Sequence, residues 1–195
     1  MSRPRKFWMR WRVRVGYPIA AIYWVLARPT ARSIAIAGII AAVGLLIRGL
    51  SSGHLRKDRE LAVSGPYAYT RNPLYLGSSL LALGFAIGGR SWWGGLLVAA
   101  YFGIFYYAVM RNEEADLHER FGAAYGEYAA RVPLFFPGFA TTSNAEPSQS
   151  ATAAPAERFS WEQYRRNREY KALIGTVAGL AVLWLRMWIR SRWGY

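Results

Sequence analysis

Two short stretches hold most of the side chains in this sequence that could do chemistry. The first, GPYAYTRNPLYLG from Gly65 to Gly77, sets Tyr67, Tyr69, Tyr75 and Arg71 among turn-forming Gly, Pro and Asn residues. Tyrosine faces attract cations and their hydroxyls hydrogen bond. The Arg71 guanidinium is a planar fork for a carboxylate or a phosphate. The second stretch opens with Glu113 and Glu114 and runs through Tyr125, Tyr128 and Arg131 to Pro133 and Pro137. Its carboxylates suit ribose diols or amines. A ligand with a positive centre, a carboxylate and a ribose would find a partner for each. The sequence contains no cysteine, which excludes disulfides, a thiolate nucleophile and cysteine metal ligands. Its two histidines are His54 and His118, and His118 with Glu114 supplies too few ligands for a metal, so no metal site is expected.

The elements that must position these residues are apolar. Of the 195 residues 53% are hydrophobic, yet the formal charge is +14. The apolar residues fall in blocks with arginines between them, as in a protein that crosses a membrane several times. Many of the nine tryptophans stand at block edges, where an amphipathic ring favours the interface. The positive charge is spread over several connectors rather than gathered on one face, so the expected partners are membrane lipids and a hydrophobic acceptor, not nucleic acid. Oligomeric state is left open by the sequence.

Along the chain, the basic start MSRPRKFWMRWRVR precedes an apolar stretch from Val15 to Ala27. It resembles the charged and apolar regions of a signal peptide but lacks a small-x-small cleavage pattern. It is read as a short span whose flanking Arg14 and Arg28 snorkel to the headgroups. Ala31 to Ile47, closed by Arg48, is a second span; Leu74 to Gly89 and Trp92 to Met110 are a third and fourth. The charged segment after Met110 has a helical pattern, interrupted near Gly122. Residues 138–157 have a single large apolar side chain, Phe139, and read as a flexible linker. SWEQYRRNREYK, opening with Ser160 and Gln163 at capping spacing, is expected to lie along the membrane surface. Ala172 to Leu185 is a last apolar helix. The expectation is an all-α polytopic membrane protein with about five transmembrane helices and a cytoplasm-facing cofactor pocket. It divides into a basic arm with two membrane helices (1–50), a core with two more and the flanking motifs (51–137), the linker, and an interfacial helix plus membrane helix (158–195). A short turn near Gly88–Trp92 makes the third and fourth spans antiparallel and brings both motifs to one end, the end that the lysine and arginine distribution places in the cytoplasm.

In order and spacing, GPYAYTRNPLYLG followed by EEADLHERFGAAYGEYAARVPLFFP resembles the isoprenylcysteine carboxyl methyltransferase and phospholipid methyltransferase group of integral membrane enzymes. The resemblance is strongest from Gly65 to Pro137 and weaker over the first two spans. It implies S-adenosylmethionine as cofactor and a lipid-like acceptor reached from the bilayer, with the cell inner membrane as location in a bacterium. Carried over by position, Gly65, Pro66, Tyr67, Arg71, Asn72, Pro73, Tyr75 and Gly77 form the first half of the cofactor site and Glu113, Glu114 and Tyr128 the second, with Arg131 and Pro133 in the closing segment. Arg71, Asn72, Glu114 and Arg131 take the catalytic places. Asn72 departs from the histidine usual in the family and cannot take up a proton near neutral pH. This favours an acceptor that is already nucleophilic, or a base elsewhere, for which Glu113, Glu114 or a tyrosine are the candidates. Two other readings are a membrane reductase of the sterol reductase type, which would use NADPH, and an inactive scaffold of the same fold.

Overall fold

The computed structural model describes residues 3–56, 60–138 and 158–193; all but the first residue of the expected linker over 138–157 lies outside them. The described residues form six α-helices and one 3-10 turn, with no strand. In chain order these are α1 (Arg3–Leu26), α2 (Ala31–His54), the turn Gly65–Ala68, α3 (Pro73–Gly88), α4 (Trp92–Arg131), α5 (Trp161–Arg166) and α6 (Tyr170–Trp193).

Local sequence sets the helix starts. Thr30 and Ser33 cap α2 reciprocally: the Ser33 amide donates to Thr30 Oγ1 at 3.3 Å and the Thr30 amide to Ser33 Oγ at 2.9 Å. Pro73 opens α3, where its missing N–H costs nothing. Ser91 caps α4 by accepting from the Gly94 amide at 3.1 Å.

By length and composition α2, α4 and α6 can each cross a membrane. Helix α3 is apolar but has 16 residues, about 24 Å by the helical rise, less than a hydrocarbon core of about 30 Å. Helix α1 is long enough, but its first half is basic and it does not reach the same apolarity. The chain is therefore a helical membrane protein with three clear candidate spans among the described residues, where about five were expected.

Helices α2 and α3 pack most closely, through small residues. Ala37, Ala41 and Gly44 on α2 face Gly77, Gly84 and Gly88 on α3, all of them buried. A Cβ on Gly77 would stand 2.6 Å from the Gly44 carbonyl oxygen, so the two backbones meet without side chains between them. Helix α2 does not stop at Arg48 as expected but runs on to His54, because Ser51, Ser52 and Gly53 keep its packing face small and buried.

Helix α4 carries the fourth span and the charged segment as one 40-residue helix, broken at Gly122 with φ 50° and ψ −123°. No atom lies within 4 Å of a Cβ built there, so backbone conformation alone requires glycine. Gly122→Ala is expected to cost about 1–3 kcal/mol or to straighten the helix end. Thermal unfolding in detergent checks the first outcome and cross-linking across the kink the second.

A candidate cofactor site at the mouth of the α3–α4 hairpin

The residues before α3 and those closing α4 are laced together by backbone. The Arg71 amide donates to the Pro133 carbonyl at 2.9 Å, and the Gly138 amide to the Tyr69 carbonyl at 3.0 Å. Thr70, 2% exposed, donates its hydroxyl to the Phe135 carbonyl at 2.9 Å. The Asn72 side-chain amide donates to the Leu134 carbonyl at 3.0 Å. Beneath this lacing, Tyr125, Tyr128 and Val132 form an apolar cluster with Leu61, Leu117, Phe121 and Ala129.

On this platform Arg71 and Glu114 form an ion pair, with side chains only 15% and 14% exposed. Arg71 Nη1 donates to Glu114 Oε1 and, at 3.3 Å, to the Tyr125 hydroxyl, which donates onward to the same Glu114 oxygen at 3.3 Å. Arg111 reaches the other oxygen, Oε2, at 2.8 Å. Glu114 thus holds two guanidiniums. Arg71 Nε is buried without a hydrogen-bond partner. A buried guanidinium donor left unpaired carries an unpaid desolvation cost, which an anionic ligand group would relieve.

The remaining expected site residues take varied places. The Tyr128 hydroxyl donates to the Tyr67 carbonyl at 2.7 Å and so holds the 3-10 turn against α4. Gly65 begins that turn with φ +59°, and the Pro66 carbonyl accepts from the amides of Tyr69 and Thr70. Tyr75 packs edge-on to Tyr106 of α4, ring centres 5.5 Å apart. Gly77 lies on the opposite face of α3, against α2, as a packing residue. Arg131 is exposed and bonds back to the Glu127 carbonyl of its own helix at 3.2 Å, outside the Arg71–Glu114 cluster. Among the described residues no three His, Asp or Glu side chains converge as metal ligands.

Burial sets the behaviour of the tyrosines. It pushes the Tyr67 phenol far above its ordinary range, with Tyr128, Glu113 and Glu169 adding to the rise and Arg48 opposing it. Tyr128 is raised by burial and then by Tyr125, against Arg71. Tyr125 is raised by burial, with its hydrogen bond from Arg71 working the other way. A phenol with a raised folded pKa contributes stability that is complete below its unfolded value near 10 and is lost as pH climbs above it. Tyrosinate absorbance is therefore expected to rise in two stages, with Tyr67 and Tyr128 ionising only as the protein unfolds in alkali. Simultaneous titration of all tyrosines in folded protein would contradict this.

Sequence reasoning overlooked Thr70, which looked like an ordinary turn residue, and the pair Arg48–Glu169. Arg48 Nε and Nη2 grip Glu169 at 2.5 and 3.0 Å. The signal was present: Glu169 is the lone acid in the basic run from Tyr164 to Lys171. That run is also not one surface helix. It breaks between α5 and α6 at Arg168, φ +56°, beside Asn167, whose side-chain Nδ2 donates to the Ser52 and Leu55 carbonyls.

A helical membrane protein with an arginine–carboxylate cluster at the mouth of an antiparallel helix pair is the class that these features define. The sequence pattern of phospholipid methyltransferases matches residues 15–124, and the chain belongs to that family. The match takes in α2 and half of α1, where the resemblance read from the motifs was weaker. The chain is 35% identical over 136 residues to the cobalt-zinc-cadmium resistance protein CzcN of Cupriavidus metallidurans, covering 65% of this chain and 62% of that one. It is 35% identical over 82 residues to the nickel-cobalt-cadmium resistance protein NccN of Alcaligenes xylosoxydans xylosoxydans, covering 42% and 38%. The chain thus spans less than two thirds of the length of these curated relatives. No solved structure matches it.

Proposed function

We propose that this protein is an integral membrane methyltransferase that uses S-adenosylmethionine and acts on a lipid-like or hydrophobic acceptor at the cytoplasmic face of the membrane. The observation that carries the reading is the meeting of Arg71 and Glu114, from two motifs separated by a helical hairpin, around a buried and unpartnered Arg71 Nε. The donor set fits the cofactor. Arg71 suits its carboxylate, Glu113 and Glu114 its ribose or ammonium, and the tyrosine faces its sulfonium. When bound, the cofactor supplies a methyl group already activated by the positive sulfur.

The chain's own residues then have positioning to do. Arg111 and Tyr125 hold Glu114, and Glu114 holds Arg71, so the fork is oriented before any ligand arrives. Thr70 and Asn72 fasten the two motif segments to each other through hydrogen bonds to the Phe135 and Leu134 carbonyls. Asn72 spends its amide on this tether. The buried phenols stay protonated at neutral pH and cannot serve as bases. This supports an acceptor that needs no deprotonation, such as a carboxylate, whose pKa of about 4 leaves it ionised. The family favours methyl transfer over the nicotinamide-dependent reduction considered from the motifs.

The test is calorimetric titration of protein in lipid nanodiscs with S-adenosylhomocysteine and, in parallel, NADPH. Binding of the first and not the second is expected. The reverse result, or binding of neither to folded protein at millimolar ligand, would sink the reading. Label transfer from methyl-labelled cofactor into an extracted lipid pool separates an enzyme from an inactive scaffold.

A further inference from the structure

The C-terminal segment lies beyond the matched residues 15–124, yet it is stitched to the end of α2 that flanks the site. The Ser160 amide donates to the Gly53 carbonyl at 3.0 Å, and the Asn167 side chain donates to the Ser52 and Leu55 carbonyls at 2.9 and 3.0 Å. The chain then turns through Arg168 and delivers Glu169, 8% exposed, onto the Arg48 fork. Arg48 does not stop there. Its Nη1 donates to the Ser78 hydroxyl and, at 3.3 Å, to the Leu74 carbonyl, both in the first turns of α3. Helix α3 begins at Pro73, directly after Arg71 and Asn72. One guanidinium therefore ties α2, the start of α6 and the start of α3. The Tyr67 phenol lies within electrostatic reach of Glu113, Arg48 and Glu169 alike.

A buried ion pair is a poor source of stability, because two apolar side chains of the same volume commonly do as well; its attested use is to fix one arrangement. Here that arrangement is the direction in which α3 leaves the membrane mouth. We propose that Glu169 is a positioning residue of the cofactor site. By holding Arg48 it sets the first turn of α3 and hence the presentation of Arg71, which makes the C-terminal segment a wall of the site. The catalytic part of this inference rests on the function proposed above, whereas the positional part does not. Displacement of Glu169 by an incoming anion, the opposite role, is disfavoured by the three hydrogen bonds to α2-end carbonyls that keep residues 160–167 in place.

The experiment uses full-length protein in nanodiscs and the variants Glu169→Gln and Arg48→Lys, with Glu169→Asp as the conservative control. In hydrogen–deuterium exchange, Glu169→Gln and Arg48→Lys are expected to speed exchange of residues 65–78 about tenfold and to leave α4 before Met110 unchanged. In calorimetry, S-adenosylhomocysteine affinity falls on the order of ten- to a hundredfold, with Glu169→Asp recovering part of it. Acceleration throughout the chain would mean a merely structural pair and would overturn the proposal. So would unchanged exchange at residues 65–78, or an affinity that rises in Glu169→Gln, the sign of a displaceable stand-in anion. If wild-type protein shows no binding while the local exchange effect is present, the cofactor reading fails and the positional one stands.

Discussion

Arg71→Ala is expected to remove measurable binding of S-adenosylhomocysteine, and Glu114→Ala to do nearly the same. Both side chains are largely withdrawn from water, so deleting either leaves the other as a buried charge with one partner fewer. Breaking such a pair costs about 3–5 kcal/mol, equivalent to roughly two to nearly four orders of magnitude in an equilibrium constant. The two losses differ in kind. Without Arg71, Glu114 keeps Arg111, and the fork for the ligand carboxylate is gone. Without Glu114, Arg71 remains but its direction is unfixed, and Tyr125 loses its acceptor. Arg71→Lys keeps the charge and loses the planar two-point geometry, so an intermediate loss is expected. The double variant should bind no worse than the weaker single one, because the two residues act as a unit. Calorimetry on wild type, three single variants and the double variant reads all of this. Independent, additive losses would mean that Arg71 and Glu114 contact separate ligands.

Gly77→Ala is expected to be among the most destabilising single-methyl additions in the chain. The new Cβ would lie 2.5 Å from Arg48 Cγ and 2.6 Å from the Gly44 carbonyl oxygen. A side-chain tip could move, but the Gly44 oxygen belongs to a helix backbone. The added volume must therefore part α2 from α3, at about 1–3 kcal/mol or more. It must also dislodge Arg48 from Ser78 and Leu74. Gly103→Ala is the control, since nothing lies within 4 Å of a Cβ there. Thermal unfolding in detergent should show a large fall for the first and almost none for the second. If Gly77→Ala kept full stability and lost only cofactor binding, Gly77 would line the ligand after all, as the family resemblance implied.

This contrast shows where the sequence could be read and where it could not. Arg71 and Glu114 were legible because a turn of three residues, Gly89 to Ser91, joins two apolar helices, and a short turn leaves antiparallel packing as the outcome. Helix starts at Pro73 and after Ser160 were legible because caps are local chemistry. Gly77 could be read from the sequence equally as a cofactor glycine or a packing glycine: one motif string supplies both faces of α3, and only the neighbouring helix decides between them. Arg48 looked like a marker of the membrane edge because its partner Glu169 follows a long low-complexity stretch, and no spacing rule relates residues so far apart. The division of Tyr164 to Lys171 into two helices was hidden for the same reason, since it depends on Ser52 and Leu55 accepting the Asn167 amide.

The unbroken run of α4 up to Gly122 fixes a height. Trp92 and Trp93 stand exposed at one end, and Glu114 lies roughly 33 Å further along the axis by the helical rise, close to the thickness of a bilayer's apolar layer. With its tryptophans anchored at the far surface, the helix works as a ruler that holds Glu114 level with the near one. In the proposed methyltransferase, an acceptor must therefore bring its reactive atom up to that level, whatever the length of its tail. A single residue inserted between Gly103 and Met110 would rotate Glu114 about 100° around the axis and lift it by about 1.5 Å. It would then face away from Arg71, although every side chain of the pair would still be present.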